Sequence, residues 1–530
     1  MEAVMLSDSH KAAKGKDMKR KRAAGILLPI TSLPSPYGIG TMGKEAYEFV
    51  DFLKKAGQTY WQILPVGPTS FGDSPYQSFS TFAGNPYFID LNILTDEGLL
   101  TEDDCKKSGL EPKRIKDKGG KAASETGMYA DYALQYTRRY PLLKKAYENF
   151  VKKELDRSRD YRTFVSENED WLPEYILFMA LKDENGGVPF TQWDKDLRVR
   201  KKKAVAEAHR RLDHEAGFYE FLQFEFFRQW KDLKRYANEN GIRIIGDIPI
   251  YVAADSADVW GDPELFMLDK EGLPVAVAGC PPDYFAKTGQ LWGNPIYNWE
   301  YHKRTGYSWW ISRMRRCFEL YDCVRIDHFR GFDEYYAIPY LDSTAEFGKW
   351  QKGPGLGLFD AIKASLGELD VIAEDLGFMT RSVERMVKKS GFPNMKVLLF
   401  GFDPRGNSEY LPHNYERNCV VYTGTHDNDT AAGYYKRAGR KEKAFARSYL
   451  GIKSGRDFDR AVVRAALSSI ADTAIIPMQD YLGLDNSARI NMPSTLGGIN
   501  WQWRLLPGQL GDELALRIRE AAFVYGRLPE

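Results

Sequence analysis

The chain has 530 residues, 43% hydrophobic and 28% charged, with a formal net charge of +1. That balance suits a large folded core and excludes a global field that would draw nucleic acid or an anionic membrane. Five cysteines (Cys105, Cys280, Cys317, Cys323 and Cys419), odd in number and with no CxxC pair, exclude a disulfide framework or zinc finger and point to a reducing, cytoplasmic setting.

Residues 1–22, which end in the basic run Lys19–Arg22, read as a flexible solvated tail. The apolar GILLPI (25–30) behind it is too short for a secretory core, and no run is long enough to span a membrane. GILLPI instead opens a series of eight short apolar runs bounded by turns, the pattern of parallel strands buried on both faces. The others are TYWQILPVGP (59–68), RIIGDIPIYV (243–252), CVRIDHF (323–329), DVIAEDLG (370–377), MKVLLFGFDP (395–404), CVVYTGTHDND (419–429) and TAIIPMQDYLG (473–483). Amphipathic helices are expected between them, at 43–57, 218–241, 308–321 and 380–391, several closed by a glycine such as Gly57 or Gly241.

Eight strands alternating with helices predict a (β/α)8 barrel; a doubly wound open sheet is the alternative. The spacing adds two insertions to a single catalytic unit over 23–530. One, about 69–242, is mainly helical, with a Lys/Glu-rich, exposed part from 101 to 214; the other, about 253–307, is rich in Gly, Pro and aromatic residues.

Charge gathers where the apolar runs end: Asp247; Arg325 and Asp327; Glu374 and Asp375; Asp403; His426, Asp427 and Asp429; Gln479 and Asp480. In such a barrel the strand C-termini form the active mouth. Any one acid there is also an ordinary turn or N-cap residue. Convergence of several on one rim favours chemistry. Arg325 and Asp327, two apart on a strand, share a face, so the cation is expected to lower the pKa of Asp327 and keep it ionised. Glu374 follows Val371, Ile372 and Ala373, and an apolar surround is expected to keep it protonated. One ionised and one protonated carboxyl is what retaining glycosidic cleavage requires. His328 and His426 beside Asp327 and Asp427 suggest a metal site as an alternative, but no HExxH or fixed ligand spacing supports it. No metal or cofactor is expected.

Several longer stretches carry a family resemblance: AGILLPITSLPSPYGIG (24–40), GDSPYQSFSTFAGNPYFIDL (72–91), GDIPIYVAADSADVW (246–260), PPDYFAKTGQLWGNPIYNW (281–299), VRIDHFRGF (324–332), AEDLG (373–377), YTGTHDNDT (422–430) and NWQWR (500–504). Together they resemble the 4-α-glucanotransferases, or amylomaltases, of glycoside hydrolase family 77. The resemblance implies Asp327 as nucleophile, Glu374 as acid/base and Asp427 as transition-state stabiliser. It implies sugar contacts at Tyr76, Asp247, Arg325, His328 and His426, with Trp292 and Asp403 as further subsite residues. Its partners would be maltooligosaccharides and α-1,4-glucans. The insertion bearing Tyr284, Phe285 and Trp292 would cover the acceptor side and favour transfer over hydrolysis. A hydrolase of the α-amylase kind, or a maltodextrin-binding protein without catalysis, stays open at this point. Thr41, Tyr434 and Ser494 depart from the family pattern without touching the three acids.

Overall fold

The computed structural model describes residues 21–70, 72–111, 127–282, 287–377 and 379–529. Twelve strands fall among them: β1 (Ala23–Leu27), β2 (Tyr60–Gln62), β3 (Arg243–Pro249), β4 (Ala276–Cys280), β5 (Gln290–Pro295), β6 (Cys323–Asp327), β7 (Glu334–Pro339), β8 (Lys349–Lys352), β9 (Val371–Ala373), β10 (Asn394–Val397), β11 (Cys419–Tyr422) and β12 (Thr473–Pro477). Eight of these close a barrel in the order β1-β12-β11-β10-β9-β6-β3-β2, every adjacent pair parallel. Each of the eight apolar runs supplies one barrel strand, as the (β/α)8 expectation requires. The runs overstate strand length: β10 stops at Val397 and passes into a 3-10 turn, Leu398–Gly401, well short of Asp403.

Helices lie where the 3.6-residue periodicity put them. Lys44–Lys55 buries Phe49, Val50 and Leu53 and turns off through Gly57 at φ +63°. Arg381–Ser390 is capped by the Thr380 side chain on Val383 N and stops at Gly391, φ +74°. Asp213–Glu239, which begins five residues ahead of the expected helix, returns the chain to β3 and buries Phe221, Leu222, Phe226, Trp230 and Leu233. Each such side chain contributes about 1.5–3 kcal/mol by leaving water. The rest of the chain between β2 and β3 is also mainly helical, with Tyr140–Lys152, Leu172–Glu184 and Lys202–Arg211 as its longer pieces.

Beyond the barrel stands an antiparallel sheet, order β5-β4-β7-β8, that no apolar run announced. Its strands β4 and β5 come from the Gly- and Pro-rich insertion between β3 and β6. Ala278, Ala337 and Tyr335 join the main core, while Val277, Tyr336, Ile338 and Ala345 make a small separate cluster on the other face. A register shift between Val277 and Gly279, and a β8 exposed at all four residues, explain why periodicity missed it. Of the expected basic tail, residues 1–20 lie outside the described residues. Arg22 is tied down, donating to the carbonyls of Tyr525 and Leu467 at 2.8 and 2.9 Å. No helix among the described residues is long and apolar enough to cross a membrane.

Candidate active site

The barrel mouth is organised around a buried guanidinium. Asp247 on β3 sits directly across from Arg325 on β6, register partners in the parallel ladder. Beside it Gly246 has no side chain because the Tyr321 ring would lie about 2.2 Å from a Cβ there. Arg325 Nη1 donates to both oxygens of Asp247 at 2.8 and 2.7 Å, and Nη2 donates to Asp327 Oδ1 at 2.9 Å. Its Nε rests against the Met395 thioether at 3.3 Å. Arg325 and Asp327 do share a face.

At the end of β6 the backbone turns sharply: His328 adopts φ 54°, ψ 47°, a left-handed conformation that costs a non-glycine residue about 1–3 kcal/mol. The turn aims the amide of the Asp327–His328 peptide at Glu374, whose Oε2 accepts from it at 2.7 Å. Glu374 Oε1 accepts from Leu376 N at 2.8 Å. Both carboxyl groups are thereby fixed to one peptide unit.

From the loop after β2, Tyr76 donates its hydroxyl to Asp247 Oδ2 at 2.8 Å, and its ring stacks on His426 with centroids 5.2 Å apart. His426 Nε2 lies 3.3 Å from Asp427 Oδ1, which also accepts from Asn491 Nδ2 at 2.7 Å. Trp292 on β5 meets His328 edge to face, centroids 4.8 Å apart. Tyr76, Asp247, Trp292, Arg325, Asp327, His328, Glu374, His426 and Asp427 are therefore one connected group.

Asp403 is not part of it. Its carboxylate accepts from Arg405 of the same turn, and among the described residues no hydrogen bond joins it to the cluster. Tyr284 and Phe285 lie outside the described residues. Three other strand-end acids have structural employment: Asp375 accepts from Met395 N, Asp480 from Thr423 Oγ1 and Ala431 N, and Asp429 pairs with Arg437 and Arg489. Sequence reasoning missed Asn491, Arg489, Met395 and Trp501, the last packed against Tyr76. Only Trp501 carried a signal, inside the aromatic NWQWR stretch.

The electrostatics separate the acids. Burial pushes Glu374 up, the Asp327 charge adds to this, and Arg325 with the two backbone donors opposes; the result is about 8. Asp327 is raised as well, by burial first and by Asp247 and Asp427 after it, against the pull of Arg325. Arg325 does pull Asp327 down, as expected, but burial outweighs it and the net shift is upward: one cation serves two carboxylates, and Asp247 takes two of its three carboxylate bonds. Among the described residues no cation pairs with Glu374, which holds its proton to about pH 8. Asp427 is pushed up by burial, but His426, Asn491 and Arg325 together bring it down to about 2. Burial, with Arg330 adding, drives His328 down to about 3, so its ring is neutral.

A buried carboxyl that keeps its proton near neutral pH, set beside a cation-bound aspartate and hydroxyl-binding groups, is the apparatus of glycosidic chemistry. The profile of glycoside hydrolase family 77, described as 4-alpha-glucanotransferase, matches residues 28–509. The chain belongs to the 4-alpha-glucanotransferase family. A 4-alpha-glucanotransferase of Clostridium butyricum is 48% identical over 502 residues, 94% of this chain and 100% of that protein. One of Thermus thermophilus is 47% identical over 519 residues, 96% of this chain and 100% of its own. The solved amylomaltase of Streptococcus agalactiae in complex with acarbose matches with a TM-score of 0.90 at 43% identity, covering 96% of this chain and 100% of that one. Family membership decides for glucan transfer over hydrolysis of the α-amylase kind.

Proposed function

We propose that this family member moves α-1,4-glucan segments between maltodextrin or starch-type donors and glucose or glucan acceptors by a retaining double displacement. Asp327 attacks the anomeric carbon while Glu374 protonates the departing glycosidic oxygen, leaving a glucosyl ester on Asp327 and the shortened chain as leaving group. Glu374, now a carboxylate, takes the proton from an acceptor hydroxyl, which attacks the anomeric carbon and frees Asp327. Asp427 holds hydroxyls of the reacting sugar more tightly in the oxocarbenium-like state than in the ground state, which lowers the barrier. Tyr76, Asp247, Arg325, His328 and His426 orient that sugar, and Trp292 faces the acceptor. For Asp403 the support is the family resemblance alone.

The observation that carries this reading is the bond from the His328 amide to Glu374. It binds the proposed acid to the peptide that follows the proposed nucleophile, with the higher pKa on the acid. We further propose a cytoplasmic location, supported by five free cysteines, and catalysis without metal or cofactor. Incubation with maltotriose tests the whole. A transferase yields glucose together with a ladder of longer maltodextrins. A hydrolase yields only shorter sugars, and a binding protein leaves maltotriose intact; either result overturns the proposal.

A further inference from the structure

The antiparallel sheet presents an apolar rim that the cleft does not use. One cross-strand row runs Leu291, Gly279, Tyr336, Trp350 over β5, β4, β7 and β8. Tyr336 at its middle is covered, its hydroxyl donating to Ala345 O at 3.0 Å. Trp350 is 39% exposed, and Phe347 and Leu341 in the preceding loop are 74% and 91% exposed. The Trp350 ring is not loose: the Arg330 guanidinium lies 4.0 Å from its centroid, and Tyr336 meets it edge to face at 5.2 Å. It is a fixed aromatic plate at the sheet edge, anchored from one side.

We propose that Trp350, with Phe347 beside it, forms a second carbohydrate-binding site that holds an α-1,4-glucan chain outside the catalytic cleft. Sugar rings present flat C–H faces that pack on aromatic plates and a rim of hydroxyls that hydrogen-bonds at the edges. Here the edges are Lys352, two residues on from Trp350 and on the same face, and the outer backbone groups of edge strand β8. Charge fits a neutral ligand: between 340 and 352, Asp342 and Glu346 offset Lys349 and Lys352, and Lys352 is paired with Glu334 at 2.6 Å. A second protein chain fits poorly, because lysines on an exposed edge strand oppose strand-to-strand pairing. The patch lies on the sheet face turned away from the main core, while Trp292 lies on the cleft face of the same sheet. The row ends at Leu291, next to Trp292 against His328, three strand spacings, or about 14 Å, from β8. A long chain that leaves the cleft and rounds edge strand β5 meets this face of the sheet.

The proposal rests on the glucan-transfer reading, and its test separates the two. The full chain and its Trp350→Ala and Phe347→Ala variants are compared for KM on amylose, for rate on maltotriose, and for retardation in native gels cast with amylopectin. The expected result is loss of retardation and an amylose KM raised about three- to tenfold, the worth of one aromatic contact, with the maltotriose rate unchanged. Equal retardation of variant and parent overturns the site, as does a dimer in solution that the variants convert to monomer. If Trp350→Ala fails to fold, judged by its melting curve, Phe347→Ala and Trp350→Leu carry the test. Absence of maltotriose transfer in the parent protein would instead overturn the underlying reading.

Discussion

The Glu374 side chain accepts a hydrogen bond from the backbone amide of His328 at 2.7 Å, and that amide belongs to the peptide following Asp327. The left-handed His328 is what points the amide there. Burial makes Glu374 an acid that keeps its proton to about pH 8, while Arg325 draws Asp327, itself raised by burial, toward the carboxylate.

Transfer activity should accordingly fall as pH rises through about 8, when Glu374 loses the proton it must donate. It should also fall on the acid side as Asp327 takes one up, at a pH above the ordinary aspartate range. Glu374→Gln should lower kcat/KM on maltotriose about a hundred- to ten-thousand-fold, the usual span for a general acid. Steady-state rates across pH 4 to pH 10 check both; a variant with an unchanged alkaline limb would show that another group sets it.

The same shift has a consequence for stability. The folded-state pKa of Glu374 is raised above its unfolded value, so its contribution is fully present below the unfolded pKa, near 4.3. That contribution is lost as pH rises through about 8. At pH 9 the native site carries an additional buried negative charge beside Asp327. Glu374→Gln removes it, so the variant should melt a few degrees above the parent at pH 9 and within a degree or so at pH 4. Calorimetry at the two pH values reads this directly. A variant that melts lower at pH 9 would refute the buried-charge account.

Asn491 supports Asp427 from a loop that sequence reasoning passed over. Its amide donates to Asp427 Oδ1 at 2.7 Å, and its backbone N–H donates to His426 O at 3.0 Å. Asn491→Leu should raise the pKa of Asp427 from about 2 and weaken its hold on the reacting sugar, leaving the acid limb set by Asp327 in place. Hydrogen bonds to charged groups are worth about 1.5–3 kcal/mol. The Asp427 side chain is 40% exposed, so solvent screens part of this. A fall in kcat of about tenfold is expected, with less change in KM. If only the melting temperature moves, the residue is structural.

The barrel was legible because its strands are buried on both faces and therefore read as unbroken apolar runs. Asp327, Glu374 and Asp427 stood out because charge at such an end is expensive unless employed. What the sequence could not separate were acids in the same position with different partners. Asp375 sews β9 to β10 through Met395 N, and Asp480 satisfies Thr423 and Ala431, yet each resembled Asp327 on the page. Asp403 was read at a strand end because MKVLLFGFDP looks continuous, while the backbone leaves the strand at Val397. The antiparallel sheet was hidden by a different cause: Lys349–Lys352 buries nothing, so no alternation marks it. Asn491 acts through a neutral amide in a loop, where neither charge nor period gives a signal.

Among the described residues no group of three or more His, Cys, Asp or Glu side chains is placed to hold a metal ion. Dialysis against a chelator should therefore leave the maltotriose transfer rate unchanged. Loss of activity restored by one divalent ion would require the roles given to His328 and His426 to be redrawn.

Trp292 offers the sharpest separation of transfer from hydrolysis. It lies on the edge strand β5, half-buried, with its ring against His328 and, at 6.3 Å, Tyr251. Its carbonyl and the Asn294 side chain both take Gln77 of the loop that carries Tyr76, at 3.5 and 3.2 Å. Those contacts use the backbone and a neighbour, so truncating the Trp292 side chain spares them. Trp292→Ala should remove an aromatic face from the incoming sugar while leaving Asp327, Glu374 and Asp427 in place. The covalent intermediate then forms at nearly the parent rate but meets water more often, and hydrolysis gains share. A shift of about three- to tenfold in the transfer-to-hydrolysis ratio is expected for one aromatic contact. If Trp292 only packs β5 against the barrel, both reactions fall together and the melting temperature falls with them. Product analysis with maltotriose, run beside a thermal melt, distinguishes the cases, and an unchanged ratio would remove Trp292 from the acceptor side.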